Sequence, residues 1–243
     1  MIDPQTSRAI ETIEARANEL YRAYTPGFIP VERTTRVPSG TVRADTGKSE
    51  LDVAAPANTF FVGQDSLGRR FFSRNGMFSL TGGTLRTQNG STVLGYPASG
   101  QPCGLAPLAA DPVDVALGRL FDPRIEPDGT VAYSRRIVDP KIGAARSERV
   151  VIGHVALARF PAATDLAAAD GVHVTAPSGV EPRVGAPGSE GLGLVSPRRI
   201  DRGTYDVKAG LAELREAYMN FDALRSALNS QHKDQKTVMD MIK

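Results

Sequence analysis

The chain has 243 residues, of which 41% are hydrophobic and 23% charged, a composition typical of a globular protein that can bury a sizeable core. The formal net charge is +2 and charges of both signs are interspersed, so the sequence gives no reason to expect nucleic acid or an anionic membrane as a partner. No stretch approaches the roughly 20 apolar residues that span a bilayer, so direct membrane insertion is not expected.

Residues 3–24 are predicted to form a helix, because apolar side chains recur there at steps of three and four residues. The apolar stripe consists of Ile10, Ile13, Ala17, Leu20 or Tyr21, and Tyr24. Asp3-Pro4 suits a helix start, and Thr25-Pro26-Gly27 ends the helix. The first twenty residues carry several charges and lack the apolar centre of a signal peptide, so secretion through a cleaved signal peptide is not expected.

Short apolar or alternating runs fill the middle of the chain, and dipeptides that favour tight turns separate them. These dipeptides are Asn75-Gly76, Gly82-Gly83, Asn89-Gly90 and Asp128-Gly129. Each tolerates the positive φ that a tight hairpin turn requires. The pattern predicts an antiparallel β domain over residues 40–203, between an N-terminal helix and linker at 1–39 and a C-terminal helical segment at 204–243.

A second, longer helix is predicted over residues 205–242. Its apolar stripe has nearly heptad spacing and consists of Leu211, Leu214, Tyr218, Phe221, Leu224 or Arg225, and Leu228. The stripe fades after Leu228 and returns at Val238, Met239, Met241 and Ile242. Each terminal stripe is too narrow to build a core by itself, which favours a partner helix. The periodicity leaves open an ordinary monomer whose two helices cap the β domain.

Gly47-Lys48-Ser49 has the form of the end of a phosphate-binding loop. Such a loop needs a glycine at the position of Val42 and a helix after the serine. Val42 is not glycine, and Pro56 follows a segment that is a poor helix former. The sequence therefore does not predict a nucleotide site here.

No other catalytic, cofactor or metal site is predicted, and the chain is not expected to be an enzyme. His154, His173 and His232 are not at metal-ligand spacing, and Cys103 is the one cysteine, so no internal disulfide can form. No nucleophile elbow is present. Gly191-Leu-Gly-Leu-Val has two glycines without a βαβ context, which predicts a loop.

Four sequence blocks, in order along the chain, carry a family pattern. The first is Ala17-Asn18-Glu19-Leu20 with Thr25-Pro26-Gly27-Phe28, and the second is Thr46-Gly47-x3-Leu51-Asp52-Val53-Ala54 with Phe60-Phe61-Val62. The third is Arg74-Asn75-Gly76-Met77-Phe78-Ser79-Leu80, then Gly83-x-Leu85-x-Thr87-x2-Gly90-x2-Val93-Leu94-Gly95. The fourth is Ile125-x2-Asp128-Gly129-Thr130-Val131 with Val155 to Phe160. Together they resemble the flagellar axial proteins, the subunits of the basal-body rod and hook.

The resemblance implies a structural subunit. In that family the two terminal helices pair as a coiled coil that lines an inner tube, and the β domain packs outside. Subunits stack head to tail through contacts that do not close, which builds a helical filament. The implied partners are copies of the chain, other rod and hook subunits and the flagellar export apparatus, with no cofactor.

The implied location is the extracytoplasmic rod, reached by export without a cleaved signal peptide. Hook subunits usually carry an extra outer β domain, so the length favours a rod subunit of the proximal or distal type. Residues 1–9 depart from the family, because they are polar where the family has an apolar, small-residue start. The alternative of a different class is a soluble β-domain ligand-binding protein or enzyme with capping helices. A relative that serves another envelope assembly is a third possibility.

Overall fold

A computed structural model describes residues 4–28, 35–36, 44–99, 104–138, 145–161, 164–168, 172–203 and 206–241. The chain divides into two compact units. The helical unit comprises Met1–Tyr24 and Tyr205–Lys243, and the β unit comprises Thr25–Thr204. Some positions singled out in the sequence lie outside the described residues: Asp3, residues 39 and 40, Val42, Cys103, residues 204 and 205, and Ile242, as well as the side chains of His232, Val238, Met239 and Met241.

The helical unit contains α1 (Pro4–Arg22) and α3 (Val207–Met241). At the start of α3 the Asp206 carboxylate accepts hydrogen bonds from the backbone N–H groups of Lys208 (2.9 Å) and Ala209 (3.3 Å). Such a cap satisfies amides that have no partner inside the helix. Arg22 lies in the last turn of α1, where a positive charge complements the helix dipole. Neither helix is long and apolar enough to cross a membrane, and the same holds for every other described helix.

The predicted fold class, in which the terminal helices pair as a coiled coil, is wrong, because no coiled coil is evident in the described parts of the two helices. The helices differ in length, with 19 residues in α1 and 35 in α3. Coiled-coil seam positions insert into the partner helix and are buried. Here Ala17 is exposed, Tyr24 lies beyond the end of α1, and Leu211 and Tyr218 are 54% and 52% exposed. The buried residue of α1 is instead the polar Glu19.

Within its described residues, the β unit is mostly strand, with one short helix, α2 (Pro112–Ala116). Its strands in chain order are β1 (Thr35–Arg36), β2 (Ala44–Thr46), β3 (Val53–Ala54), β4 (Thr59–Gln64), β5 (Arg70–Ser73), β6 (Phe78–Thr81), β7 (Thr84–Thr87), β8 (Thr92–Pro97), β9 (Ala106–Pro107), β10 (Leu120–Ile125), β11 (Thr130–Val138), β12 (Ala145–Val155), β13 (Leu157–Arg159), β14 (Asp165–Ala168), β15 (His173–Thr175), β16 (Arg183–Gly185), β17 (Ser196–Pro197) and β18 (Arg199–Asp201).

One large antiparallel sheet organises the β unit. Fourteen of the described strands belong to it, and its main path runs β1-β14-β15-β5-β4-β8-β12-β11-β10. Strand β13 pairs with β4 and β16, β6 and β7 form a hairpin, and β9 pairs with β8. Two small sheets pair β17 with β3 and β18 with β2. These last pairings bring the end of the β unit back to its beginning.

Strand β4 is buried on both faces of the sheet, as its continuous apolar run suggests. Phe61 belongs to one core cluster, in which its ring lies edge-on to Phe78 with ring centres 5.0 Å apart. Its neighbours Phe60 and Val62 belong to a second cluster on the opposite face. Successive side chains of a strand point to opposite faces, so this one strand anchors both clusters.

Candidate functional site

The Gly47-Lys48-Ser49 segment holds a carboxylate of its own chain. The backbone N–H groups of Lys48 and Ser49 donate to Oδ2 of Asp52 at 2.7 and 2.8 Å, and Asp52 is buried. The segment connects β2 to β3, with no helix after the serine. The amides that would hold a phosphate are therefore already satisfied by Asp52.

The other sequence signals for chemistry do not come together in the described residues. No group of three or more His, Cys, Asp or Glu side chains there could hold a metal ion. His154 lies on β12, and His173 lies on β15 with its ring centre 3.9 Å from that of Phe71. In the Gly191-Leu-Gly-Leu-Val loop, Leu192 is fully buried in the core. That loop therefore has a packing role.

Two blocks of the family pattern meet in the β unit, at a place we call the motif junction: Gly27, Phe28, Arg74, Asn75, Gly76 and Asp201. The Nε of Arg74 donates to Oδ2 of Asp201, and the backbone N–H of Gly27 donates to the carbonyl of Asp201 at 3.1 Å. Another guanidinium nitrogen of Arg74 donates to the carbonyl of Thr59 at 2.8 Å. Phe28 is 1% exposed and lies beside Gly203, whose backbone N–H donates to Oδ1 of Asp201 at 3.1 Å.

Two glycines of the motif junction allow backbone to approach backbone. Gly27 has φ +69°, and a Cβ added to it would lie 2.5 Å from the backbone nitrogen of Asn75. A Cβ on Gly76 would lie 1.8 Å from the carbonyl oxygen of Val53. Asn75-Gly76 is therefore a point of close packing and not a hairpin turn, since β5 and β6 do not pair with each other.

The remaining motif residues are spread over the molecule. Phe78 follows the junction on β6 and packs on Phe61, as described above. A Cβ on Gly95 would lie 2.2 Å from the carbonyl oxygen of His154, where β8 pairs with β12, whereas Gly90 lies in a turn with φ +80° and open space around it. Thr25 accepts a hydrogen bond at its carbonyl from the Phe28 N–H at 3.0 Å, and Asn18 is exposed on α1. Sequence reasoning missed Asp201, because a buried arginine demands a carboxylate without indicating which one.

The apolar residues of the predicted helical seam are only partly covered. The half-buried members are Ile10, Ile13 and Leu20 on α1 and Leu214, Phe221, Leu224 and Leu228 on α3. Arg16 is 3.0 Å from Glu19 in the same helix and 3.6 Å from Glu213 of α3, so a charged cluster lies between the helices. Large apolar side chains remain outside it, including Tyr21 at 88% and Met219 at 58% exposure. The helical unit therefore presents aromatic and aliphatic surface to solvent.

A surface groove of about 470 Å³ lies on the β unit, and we call it the Asp111 groove. Its walls are mainly apolar: Pro97, Ala106, Pro107, Ala110, Tyr133 and Ile152. At its margin, Oδ1 of the exposed Asp111 accepts the Val113 N–H at 2.8 Å and so caps α2. No ion pair of the Asp111 carboxylate occurs within the described residues.

A buried polar group lies beneath the groove. The Tyr133 hydroxyl donates to Oδ2 of Asp114 at 2.6 Å, and an Arg135 guanidinium nitrogen lies 3.4 Å from the same oxygen. Burial, followed by the hydrogen bond to Asp114, raises the pKa of Tyr133 to about 12. Tyr133 thus stays neutral near pH 7 and gives the groove an uncharged floor.

No protein-family model matches the chain, and no curated protein matches it. The fold and these sites describe a two-helix unit with exposed apolar surface, and a β unit with a complete core of its own.

Proposed function

We propose that the chain is a structural subunit of the bacterial flagellar basal-body rod, of the proximal or distal type, and not an enzyme. Copies stack along an axis and contact one another through the surfaces of their terminal helices. The partners are further copies, other rod and hook subunits and the export apparatus, and the location is the extracytoplasmic part of the rod.

The exposed apolar surface of the helical unit carries this proposal. On α3, Leu211, Tyr218 and Met219 are 54%, 52% and 58% exposed, and on or beside α1, Tyr21 and Tyr24 are 88% and 77% exposed. Single exposed apolar residues are common, but a group of this size on one small unit indicates a surface that a protein covers. Complete burial of each aliphatic side chain in an assembly contributes about 1.5–3 kcal/mol.

The motif junction supports the same proposal. Gly27 and Phe28 belong to the first block of the family pattern, and Arg74, Asn75 and Gly76 belong to the third. These blocks are far apart in sequence, yet they pack together around Asp201. The two blocks that resemble rod and hook subunits therefore pack against each other in the fold, which gives a physical reason for both to occur in one sequence.

The test is carried out with the full chain in the bacterium that encodes it. We expect the protein in purified basal bodies, and we expect deletion of its gene to abolish motility. A variant with Leu211→Ser, Tyr218→Ser and Met219→Ser is expected to fold, because these side chains are more than half exposed, but to be lost from basal bodies. Leu67→Ser is the matched control, since Leu67 is 74% exposed in the β4–β5 turn of the β unit.

Two results would contradict the proposal. One is a deletion strain that swims normally and has intact basal bodies. The other is a triple variant that assembles as well as the Leu67→Ser control, which would mean that the exposed surface of α3 has no part in assembly.

A further inference from the structure

We propose that the Asp111 groove receives the end of α1 from a second copy of the chain, with Tyr21 in the groove and Arg22 against the Asp111 carboxylate. This inference rests on the proposed function, because it names the surfaces through which stacked copies meet. It is a contact between a helical unit and the β unit of a different molecule.

The groove has the chemistry of a receptor for an aromatic side chain next to a cation. Apart from Asp111, its walls are mostly alanine, proline, valine and isoleucine side chains, which favour an apolar occupant. Asp111 adds one negative charge at the margin. Its Oδ1 is used by the Val113 N–H, and within the described residues no cation neutralises it. An anionic occupant is disfavoured by this charge.

The end of α1 has the complementary chemistry. Tyr21 is 88% exposed, which is the largest exposure among the described large hydrophobic side chains. Arg22 follows it directly, is exposed, and makes no ion pair with another described residue. Tyrosine and arginine are the residue types that most often dominate protein–protein binding energy, since each combines a large contact area with a polar end. An unpaired cation beside an exposed ring therefore fits a groove with an unpaired carboxylate.

The groove and the end of α1 are different patches of the chain, so a contact between them lets copies add one after another. When patch A of one copy binds patch B of the next, the contact is heterologous, and every added copy presents the same free patches again. Such a contact extends along an axis unless its rotation closes a ring. A groove-to-helix contact of this kind is what an open filament requires, whereas a symmetric pairing of two grooves or two helices would stop at a dimer.

Site-specific photocrosslinking tests the contact directly. The full chain, with a benzophenone amino acid in place of Tyr21, is mixed with an equal amount of isotopically heavy chain, irradiated, and digested for mass spectrometry. We expect crosslinks between light and heavy chains that end on groove peptides around Pro107 or Ile152. The benzophenone is placed at Arg8 as a control, because Arg8 is exposed on the same helix, and it is expected to give no groove crosslinks.

Substitutions measure the energetic link between Arg22 and Asp111. Arg22→Gln and Asp111→Asn are each expected to weaken self-association by about two- to fivefold, and the double variant no more than either single one. Asn is also a good helix cap, so Asp111→Asn removes the charge and keeps the hydrogen bond to Val113. Tyr21→Ser is expected to weaken self-association by about tenfold or more. Arg8→Gln is the matched control and is expected to have no effect.

The outcomes separate this inference from the proposed function. Crosslinks from position 21 that join two copies helix to helix, or that stay within one copy, overturn the groove contact while leaving a rod subunit possible. Additive losses in the double variant also overturn it. A chain that stays monomeric at every concentration, gives no crosslinks between copies and is absent from basal bodies overturns both.

Discussion

Arg74 and Asp201 form an ion pair whose two side chains are each only 5% exposed, and this pair holds together segments that are 127 positions apart in the sequence. Arg74 also donates to the carbonyl of Thr59 at 2.8 Å and to that of Pro56 at 3.3 Å. The Arg74 side chain, directly after β5, therefore binds the start of β4, the residues just before it and the end of β18. Its planar set of donors suits several acceptors at once, which a lysine cannot imitate.

We therefore expect Arg74→Ala to destabilise the β unit by about 3–5 kcal/mol, because it leaves the Asp201 carboxylate buried without a partner. Arg74→Lys should also destabilise the β unit, by less. The measurement is urea unfolding followed by circular dichroism. Arg183→Ala is the control, because the Arg183–Glu190 pair is about 60% exposed and such pairs contribute about 0–1 kcal/mol. If Arg74→Ala and Arg183→Ala lower the free energy of unfolding equally, the buried Arg74–Asp201 pair contributes no more than an exposed one.

Gly76 and Gly90 both belong to the family pattern, but the structure gives them different reasons to be glycine. A Cβ on Gly76 meets the Val53 carbonyl oxygen, whereas Gly90 has open space and a left-handed backbone. We expect Gly76→Ala to cost about 3 kcal/mol or more through overpacking, and Gly90→Ala about 1–2 kcal/mol through the backbone alone. Gly90→Asn should recover part of that cost, since Asn tolerates the left-handed region. Unfolding midpoints compare the variants, and a harmless Gly76→Ala would contradict the close approach.

The local signals in the sequence located most of the tight turns, with Asn75-Gly76 as an exception, but they did not identify which strands pair. Gly82-Gly83 joins β6 to β7, and Gly129 lies in the turn between β10 and β11. These turns could be predicted because a tight turn needs positive φ at one or two adjacent residues, and glycine adopts it readily. The pairing of β18 with β2 was not predictable, since nothing local in Ile200 or Asp45 specifies a partner so far along the chain.

For the candidate sites too, local features could be predicted from the sequence, whereas contacts between distant residues could not. Val42 and Pro56 were enough to exclude a phosphate-binding loop from the sequence. Only the structure shows that the Asp52 carboxylate accepts the hydrogen bonds of the Lys48 and Ser49 amides. The coiled-coil prediction failed for a related reason. It assumed that an apolar stripe faces another apolar stripe, whereas the buried residue of α1 is Glu19, which pairs with Arg16, and Arg16 also approaches Glu213 of α3. The Asp111 groove has no sequence signal, because its walls come from β8, β9, β11 and β12.

Tyr133 provides a prediction at alkaline pH. Its pKa is raised from the usual value of 10.0 to about 12, so the folded protein holds this proton more tightly than the unfolded chain does. The corresponding stability is complete below pH 10 and is lost as the pH rises from 10 to about 12. The loss amounts to roughly 2–3 kcal/mol, given 1.36 kcal/mol for each pH unit of the difference.

We expect a tyrosinate step near pH 12 when absorbance is followed in the folded protein, and Tyr133→Phe to remove that step. This variant also removes the 2.6 Å hydrogen bond to Asp114 and leaves that oxygen only the 3.4 Å contact with Arg135, so its stability at neutral pH should fall by about 1–3 kcal/mol. Burial also raises the pKa of Tyr96, and Tyr96→Phe is therefore the control that assigns the step. A step near pH 12 that persists in Tyr133→Phe would mean that another group, and not Tyr133, has this pKa.

Glu19 is the buried residue of α1, at 8% exposure. Its carboxylate lies 3.0 Å from Arg16, which also reaches Glu213 of α3. Glu19→Gln keeps the shape of the side chain and removes its charge, so Arg16 loses its ion pair with Glu19. A two-helix unit buries little apolar surface, and its helices therefore depend on such contacts more than the strands of a large core do.

We expect Glu19→Gln to accelerate backbone amide hydrogen exchange across α1 and the first half of α3 by about fivefold or more, which is the effect of about 1 kcal/mol lost from local opening. Exchange in β4 and β13 should not change, because those strands belong to the separate core of the β unit. Glu14→Gln, at an exposed position of the same helix, is the control and should leave exchange unaltered. Unchanged exchange in Glu19→Gln would mean that the charged cluster does not hold the two helices together, and that apolar contacts such as those of Ile13 and Phe221 are sufficient.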